Sequence, residues 1–257
     1  MAWALAATME FVYDASMRLV VIHEGKTMRH ALFVVACLCA LGAFPFDLAG
    51  QSKPMTMEEM HKLHQDSKAY IALLDDPARD AYQKPHEVVM AIGLKDGERV
   101  ADIGAGSGYF SLRFANHVGA GGQVLAVDIN PDMIIHLNQR IRDAHIENTR
   151  TILALPDDPL LADASVDRVF ICETWHHIEN HPQYLALLKK TLKPGGQVII
   201  IDFQKTPTPV GPPAEMRVAR EDVLGEFEHY GFRLAKEHTI LPYQYFLIFT
   251  PAAVGGK

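Results

Sequence analysis

The stretch that most constrains the fold runs from Arg99 to Val118. An apolar run that ends at Ile103 leads into three glycines at alternate positions, Gly104, Gly106 and Gly108, and a helix-like apolar pattern follows. This order predicts a strand, a tight turn and a helix, which is the opening unit of a doubly wound α/β sheet. Glycine allows backbone angles that a Cβ would forbid, and it lets the main chain come close to a ligand. The free N–H groups at the start of the helix point into the same crevice.

Two acidic residues accompany this loop and indicate which ligand it holds. Asp102 lies two residues before the first glycine, and Asp128 ends the next apolar run. A dinucleotide fingerprint has the spacing G-x-G-x-x-G around a pyrophosphate, whereas the spacing here is G-x-G-x-G. A carboxylate at position 102 suits a cationic group such as the amino acid end of S-adenosylmethionine (SAM). An acid at the tip of strand two suits a ribose diol.

With these motifs the sequence resembles the class I SAM-dependent methyltransferases. The resemblance rests on residues 100–108, 127–133, 165–170 and 192–198, and it covers residues 85–250. It implies an α/β fold with a Rossmann-like, seven-stranded sheet that is mostly parallel, with an antiparallel last strand and an N-terminal helical extension. It also implies SAM as the cofactor and a methyltransferase that acts on a small-molecule acceptor.

The loop and the resemblance together predict the cofactor site. The predicted cofactor-binding residues are Asp102, Gly104, Ala105, Gly106, Gly108, Asp128, Ile129, Met133, Asp157, Asp158 and Glu173. The family usually offers an acid to the adenine amino group after strand three, but Leu155 aligns with that position here. Asp157 or Asp158 would have to replace it, and a simple turn is the alternative. A turn-capping role for Asp102 and a core role for Met133 also remain open.

Candidate catalytic residues follow strand four in the run Glu173-Thr-Trp-His-His177. The carboxyl ends of parallel strands face the ligand crevice, and a histidine there can accept a proton. The predicted catalytic residues are His177, His176 and Asp202, the last of which ends strand five. A structural, hydrogen-bonded histidine is the alternative for each member of the pair. No metal is predicted, because no carboxylate or cysteine spacing accompanies His176, His177 and His181.

Aromatic and polar residues near both ends of the domain are candidates for contacts with the acceptor. In the family, N-terminal helices lie over the SAM crevice, and the last strands reach the edge of the sheet. The candidates are Tyr82, Gln83, Trp175, Tyr243 and Tyr245. Core packing or a solvated helix is the alternative for these residues, and the acceptor atom cannot be read from the sequence.

The chain divides into three segments by pattern. Residues 1–50 form an extension, residues 51–84 a helical lid or linker, and residues 85–257 the methyltransferase domain. Within the extension, residues 28–50 have a basic start, an uncharged run and small residues, as in a signal peptide. The run is too short for a stable membrane span. The expected location is exported or periplasmic if this segment is used, and cytoplasmic otherwise.

Composition narrows the function classes. A net charge of −7 argues against a nucleic-acid partner, and the oligomeric state is not indicated. Only three cysteines are present, at positions 37, 39 and 172, which disfavours arsenite methylation by several reactive thiols. Two other functions remain as alternatives. One is a non-catalytic SAM-binding protein, and the other is a nucleotide-dependent oxidoreductase, which the glycine spacing disfavours.

The apolar patterns also predict the remaining elements. A helix should begin at the capping box Thr56–Glu59 and end near Asp75, and another should begin at Pro85. Further helices are expected at 130–145, 181–191 and 220–230, and a turn at 193–196. Strands are expected at 149–155, 167–172, 197–201, 232–238 and 243–250.

Overall fold

The computed structural model describes residues 55–252, which form one seven-stranded sheet with helices on both faces. The strands are β1 (Arg99–Ile103), β2 (Gln123–Asp128), β3 (Thr149–Leu153), β4 (Val166–Cys172), β5 (Leu192–Phe203), β6 (Phe232–His238) and β7 (Gln244–Pro251). Their order across the sheet is β3-β2-β1-β4-β5-β7-β6. Strands β1 to β5 pair in parallel, and β7 is antiparallel to β5 and β6. This sheet confirms the predicted fold class.

Eight α-helices complete the described part of the chain. They are α1 (Met57–Gln65), α2 (Ser67–Leu74), α3 (Asp80–Gln83), α4 (Pro85–Ile92), α5 (Ser111–Val118), α6 (Pro131–Asp143), α7 (His181–Thr191) and α8 (Arg220–His229). Short 3-10 turns occupy Pro77–Arg79, Trp175–His177 and Ala214–Met216. No helix within residues 55–252 has the length and apolarity needed to cross a membrane.

Two apolar layers hold the helices against the sheet. On β4, the fully buried Phe170 packs on the rings of Phe110 and Phe114 from the segment that enters α5 and from α5 itself. The neighbouring Ile171 points to the opposite face, in one cluster with Leu185 of α7. Burial on both faces explains why the central strands read as continuous apolar runs.

The order of the strands fixes where a ligand can bind. Strand β1 lies between β2 and β4, because β2 and β3 are added on one side of β1 and the chain then crosses after β3 to add β4 on the other side. Such a reversal leaves a crevice at the carboxyl ends of the central strands, because the connecting helices diverge there. The glycine loop after β1 and the Glu173–His177 segment after β4 both open into this crevice.

The segment from α1 to α3, residues 57–83, is called the lid here. It begins as predicted with a reciprocal capping box, in which Thr56 N donates to Glu59 Oε2 at 2.7 Å. The single helix expected up to Asp75 is instead two helices, because Asp66 ends α1 and accepts from Lys68 N and Ala69 N to start α2. The turn expected at residues 193–196 is part of β5. The signal-like segment lies outside the described residues.

Candidate active site

The glycine loop forms one wall of a cavity of about 380 Å³ at the carboxyl ends of β1, β2 and β4. Gly104 and Gly106 line it with φ angles of +71° and +53°, in the region where L side chains are strained. A Cβ at Gly104 would lie 2.1 Å from Thr174 Oγ1. Gly108 does not line the cavity, and a Cβ there would lie 2.3 Å from Leu137 Cδ1 of α6. The first two glycines therefore shape the cavity, and the third allows the loop to pack against α6.

A buried carboxylate, Asp102, and a half-buried one, Asp128, meet this loop. Asp102 is 3% exposed and accepts a hydrogen bond from Ser111 Oγ at 2.5 Å. Burial raises the pKa of Asp102 to about 7. Asp128 accepts from the N–H groups of Gly106, at 2.7 Å, and Asn130, at 2.9 Å. Burial also raises the pKa of Asp128, although these N–H groups act in the opposite direction.

Part of the cavity wall is apolar. Ala105, Ile129, Met133 and Leu155 line it, with Met133 almost fully buried and Ile129 largely exposed. An apolar slot of this kind suits a flat base such as adenine.

Asp157 and Asp158 lie away from the cavity wall. Leu155 and Asp158 pair across a tight turn, and Asp158 Oδ1 accepts from Leu160 N at 2.8 Å. Neither residue is therefore placed to contact the adenine amino group of SAM from the cavity wall. The two acids belong to a simple turn, and Leu155 lines the cavity at the position where the family usually has an acid.

The chemistry of the wall fits SAM. Ser107 Oγ is buried beside the cavity without a hydrogen-bond partner among the described residues, so it is free to contact a polar ligand. Three acids, Asp102, Asp128 and Glu173, also line the cavity. Carboxylates suit both a ribose diol and the cationic end of an amino acid, whereas a pyrophosphate would be repelled.

A second cavity of about 660 Å³ lies under the lid and beside the proline-rich loop of residues 207–213. Its wall is mostly apolar, with Met60, Val210 and Met216 among its residues. Tyr82 and Tyr243 add aromatic rings whose centroids are 6.4 Å apart. This wall suits a ring compound or another apolar molecule.

A buried arginine holds the loop that walls the second cavity. Arg217 is 3% exposed, and it donates to the carbonyl oxygens of Gln204, Thr206 and Pro212. Its guanidinium also lies over the ring of Phe203 at 4.9 Å. Because one planar side chain satisfies several carbonyls, it fixes the shape of the loop.

The two cavities meet along a shared wall. Six residues line both cavities: His64, Tyr70, Leu74, Arg79, Glu173 and His177. Glu173 adopts φ of +54°, pairs with Arg79 at 3.6 Å and accepts from Gln244 Nε2 at 2.7 Å. Burial raises the pKa of Glu173, and the charge of Arg79 opposes that rise.

The predicted catalytic residues differ in their access to this shared wall. His177 lines both cavities, His176 lines the second, and Asp202 lines neither. Asp202 is fully buried and accepts from His176 Nδ1 at 2.9 Å, so it lies behind that ring. Burial lowers the pKa of His176, but the hydrogen bond and charge of Asp202 outweigh it, and the pKa lies above the usual value. Asp202 therefore does not face either cavity, and it can affect a bound molecule through His176.

His177 is the open member of the pair. Its ring centroid lies 4.1 Å from that of His176 and 5.3 Å from that of His64. Burial between protein walls and the neighbouring imidazoles lower the pKa of His177 to about 4. Since the ring is neutral at pH 7, it can both donate and accept a hydrogen bond.

The structure separates the predicted acceptor contacts into two groups. Tyr82 and Tyr243 line the second cavity, whereas Gln83, Trp175 and Tyr245 are buried away from both cavities. Gln83 accepts from Gln244 Nε2 at 2.8 Å. Trp175 stacks on the ring of His181 at 4.2 Å. Tyr245, on β7, belongs to the same apolar core cluster as Trp175. These three residues therefore pack in the protein interior, which is the alternative that the sequence left open for them.

Sequence reasoning missed two residues that the lid contributes to the shared wall. His64 and Tyr70 face the cavities from α1 and α2, with ring centroids 4.7 Å apart. Tyr70 was interpretable only as part of an apolar helix face, and no motif marks His64. Asp75, at the end of α2, holds the lid against α6 through His136 Nε2 at 3.0 Å and Arg140 NH1 at 2.5 Å.

Comparisons with known proteins agree with this site. Residues 101–200 match the family model described as a methyltransferase domain. The fold is similar to that of a SAM-dependent methyltransferase from Aquifex aeolicus, with a TM-score of 0.68 and 28% identity over 72% of this chain and 97% of that one. A type 11 methyltransferase from Sulfolobus solfataricus gives a TM-score of 0.52 and 25% identity, over 62% and 88% of the two chains. The chain therefore carries a methyltransferase domain at residues 101–200, in a fold shared with SAM-dependent methyltransferases, and that family implies SAM as the cofactor.

Curated relatives match a shorter segment. The ubiquinone/menaquinone biosynthesis C-methyltransferase UbiE of Idiomarina loihiensis is 32% identical over 114 residues, which is 44% of this chain and 45% of that protein. The protein of the same name from Haemophilus ducreyi is 30% identical over 44% of each chain. The chain thus spans less than half the length of these relatives.

Proposed function

We propose that the protein transfers a methyl group from SAM to a small molecule bound in the second cavity. The observation that carries the proposal is the shared wall, where a cavity suited to SAM meets a larger apolar cavity at Glu173 and His177. Bound SAM supplies an electrophilic methyl group on a sulfonium. A reaction of this kind needs both molecules side by side, and the wall common to both cavities supports that arrangement.

The chain's own contribution is mainly to hold and orient both molecules. Asp128 and the glycine loop would hold the ribose of SAM. The acids that line the first cavity would face the cationic amino acid end of SAM. The lid would exclude water from the shared wall. Holding two reactants in contact accounts for most of the acceleration available to such an enzyme. His177 would be a weak base because its pKa is about 4, so orientation is the larger effect.

The identity of the acceptor does not follow from the relatives. Their name places UbiE in ubiquinone/menaquinone biosynthesis. The segments that wall the second cavity are residues 55–84, 209–216 and 242–243, together with residues 173–177. All but the last lie outside the matched methyltransferase domain at 101–200. We therefore assign the acceptor by the second cavity alone, as a small molecule that fits its mostly apolar wall.

Calorimetry on the full chain tests the proposal. We expect SAM and S-adenosylhomocysteine to bind. The Asp128→Asn variant should bind about tenfold or more weakly, because it replaces a charged hydrogen-bond acceptor. Asp132→Asn is the matched control, since Asp132 is an exposed acid four residues away. Transfer of a radiolabelled methyl group to a panel of small molecules then follows. Absence of binding would overturn the proposal, and binding without any transfer would favour a non-catalytic SAM-binding protein.

A further inference from the structure

Two imidazoles, His64 and His177, meet at the shared wall of the two cavities. His64 comes from α1 of the lid, and His177 comes from the 3-10 turn after β4. Their ring centroids are 5.3 Å apart, and neither ring has a hydrogen-bond partner within residues 55–252. By contrast, His176, His181 and His136 each face a carboxylate.

Both free rings are available to a ligand. His64 is half-buried, and His177 keeps part of its ring accessible although protein walls surround much of it; both line the two cavities. Burial and the neighbouring histidines lower the pKa of each ring, so both are neutral at pH 7. A neutral imidazole has one N–H donor and one nitrogen acceptor.

We propose that His64 and His177 together bind a hydroxyl group on an apolar ring compound, so that the lid supplies part of the acceptor site. This inference rests on the proposed function, since it concerns the same second cavity. A hydroxyl both donates and accepts, which matches a pair of neutral imidazoles.

Charged acceptors fit the shared wall less well. An anion would lie beside Glu173 and the buried Asp202. A cation would find Glu173 already occupied by Arg79 and Gln244. The remaining wall is apolar and aromatic, with Met60, Val210, Tyr82 and Tyr243, which suits the ring that carries the hydroxyl.

A matched pair of probes tests the inference. Binding of 2-naphthol and of 2-methylnaphthalene is measured by fluorescence on the full chain, saturated with S-adenosylhomocysteine. The two probes have nearly the same shape, and only the first has a hydroxyl. We expect about a fivefold or greater preference for 2-naphthol, since a net hydrogen bond has that effect.

Three variants and one control variant assign the preference to residues. His64→Leu and His177→Leu should reduce the preference severalfold, and His64→Gln should keep part of it because an amide can still hydrogen-bond. His61→Gln, an exposed position on the same helix, should keep the full preference. A merely structural role for His64 would weaken both probes equally. Calorimetry with S-adenosylhomocysteine shows separately whether each variant keeps its cofactor site.

The outcomes separate this inference from the proposed function. Equal binding of the two probes to the unmodified chain, or no binding of either, would overturn the hydroxyl-ring assignment while cofactor binding stands. A preference lost in His177→Leu but unchanged in His64→Leu would overturn the role of the lid. Failure to bind S-adenosylhomocysteine would count against the proposed function itself.

Discussion

Asp102 is a carboxyl group whose titration the fold changes strongly. Burial raises its pKa from 3.8 to about 7, and the hydrogen bond from Ser111 only partly opposes that rise. The folded chain therefore binds this proton more tightly than the unfolded chain does. Between pH 4 and pH 7 the unfolded state releases the proton first, so the free energy of unfolding falls as pH rises through that window.

We predict that Asp102→Asn removes this part of the pH dependence. The amide is neutral at every pH, and its oxygen can still accept from Ser111. Urea unfolding at pH 5 and pH 8 measures the effect. The unmodified chain should lose about 2 to 3 kcal/mol more than the variant between these two values. Asp128 and Glu173 titrate in both proteins, so most of the difference comes from Asp102 and the remainder from its interaction with the charge of Asp128. Parallel pH profiles for the two proteins would contradict the prediction.

At this scale, the sequence predicts which residues surround the cofactor better than which ones reach the acceptor. The glycine loop and the strand-end acids are fixed by short-range geometry, so Gly104, Gly106 and Asp128 line the cavity as the pattern indicates. After β4, however, the positive φ of Glu173 and a 3-10 turn decide which side chains turn inward. These backbone angles bury Trp175 and turn His177 toward the cavities. No periodic pattern in the sequence indicates such angles.

Among the elements, the lid depends on a small set of polar contacts. Asp75 at the end of α2 receives His136 and Arg140 of α6, and Arg140 NH1 also donates to the carbonyl of Ser107 at 2.8 Å. One arginine thus connects the lid to the glycine loop. The carboxyl of Asp75 is 30% exposed, so the contact contributes about 1 kcal/mol or less.

We predict that Asp75→Asn loosens the lid without unfolding the sheet. Hydrogen exchange followed by mass spectrometry should show residues 57–83 exchanging up to about fivefold faster, as expected for a loss of about 1 kcal/mol. The affinity for S-adenosylhomocysteine should fall by a similar factor. Asp143→Asn on the exposed end of α6 is the control and should change neither. Faster exchange spread evenly over the sheet would mean that the variant acts on global stability instead.

The elements of the sheet were predictable because burial on both faces leaves long apolar runs. The predicted limits of α7 and β6 agree with the structure, and β4 and α8 agree to within one residue. The lid was harder to predict because Asp66 acts within one apolar pattern, ending one helix and starting the next. The distance between His64 and His177 depends on how the lid folds back, which local sequence does not encode.

Across the described part of the molecule, the two sides of the site have different origins. The loop and strand ends of residues 102–133 supply most of the cofactor side, and the lid with residues 209–216 supplies most of the acceptor side. The first set lies in the matched methyltransferase domain, and the second lies outside it. This division explains why the cofactor follows from the comparisons while the acceptor has to be argued from the cavity.

The N-terminal extension, residues 1–50, can be removed to test whether it contributes to the site. Among the described residues, those that line the two cavities lie between 55 and 243. We therefore predict that a chain starting at Gln51 binds S-adenosylhomocysteine within about twofold of the full chain, with the same thermal midpoint in saturating ligand. A tenfold loss of affinity in the shortened chain would assign the extension a part in the site.

We further propose that residues 28–50 are an export signal. A fusion of these residues to a phosphatase that is active only outside the cytoplasm measures this directly. An inactive fusion would favour a cytoplasmic enzyme.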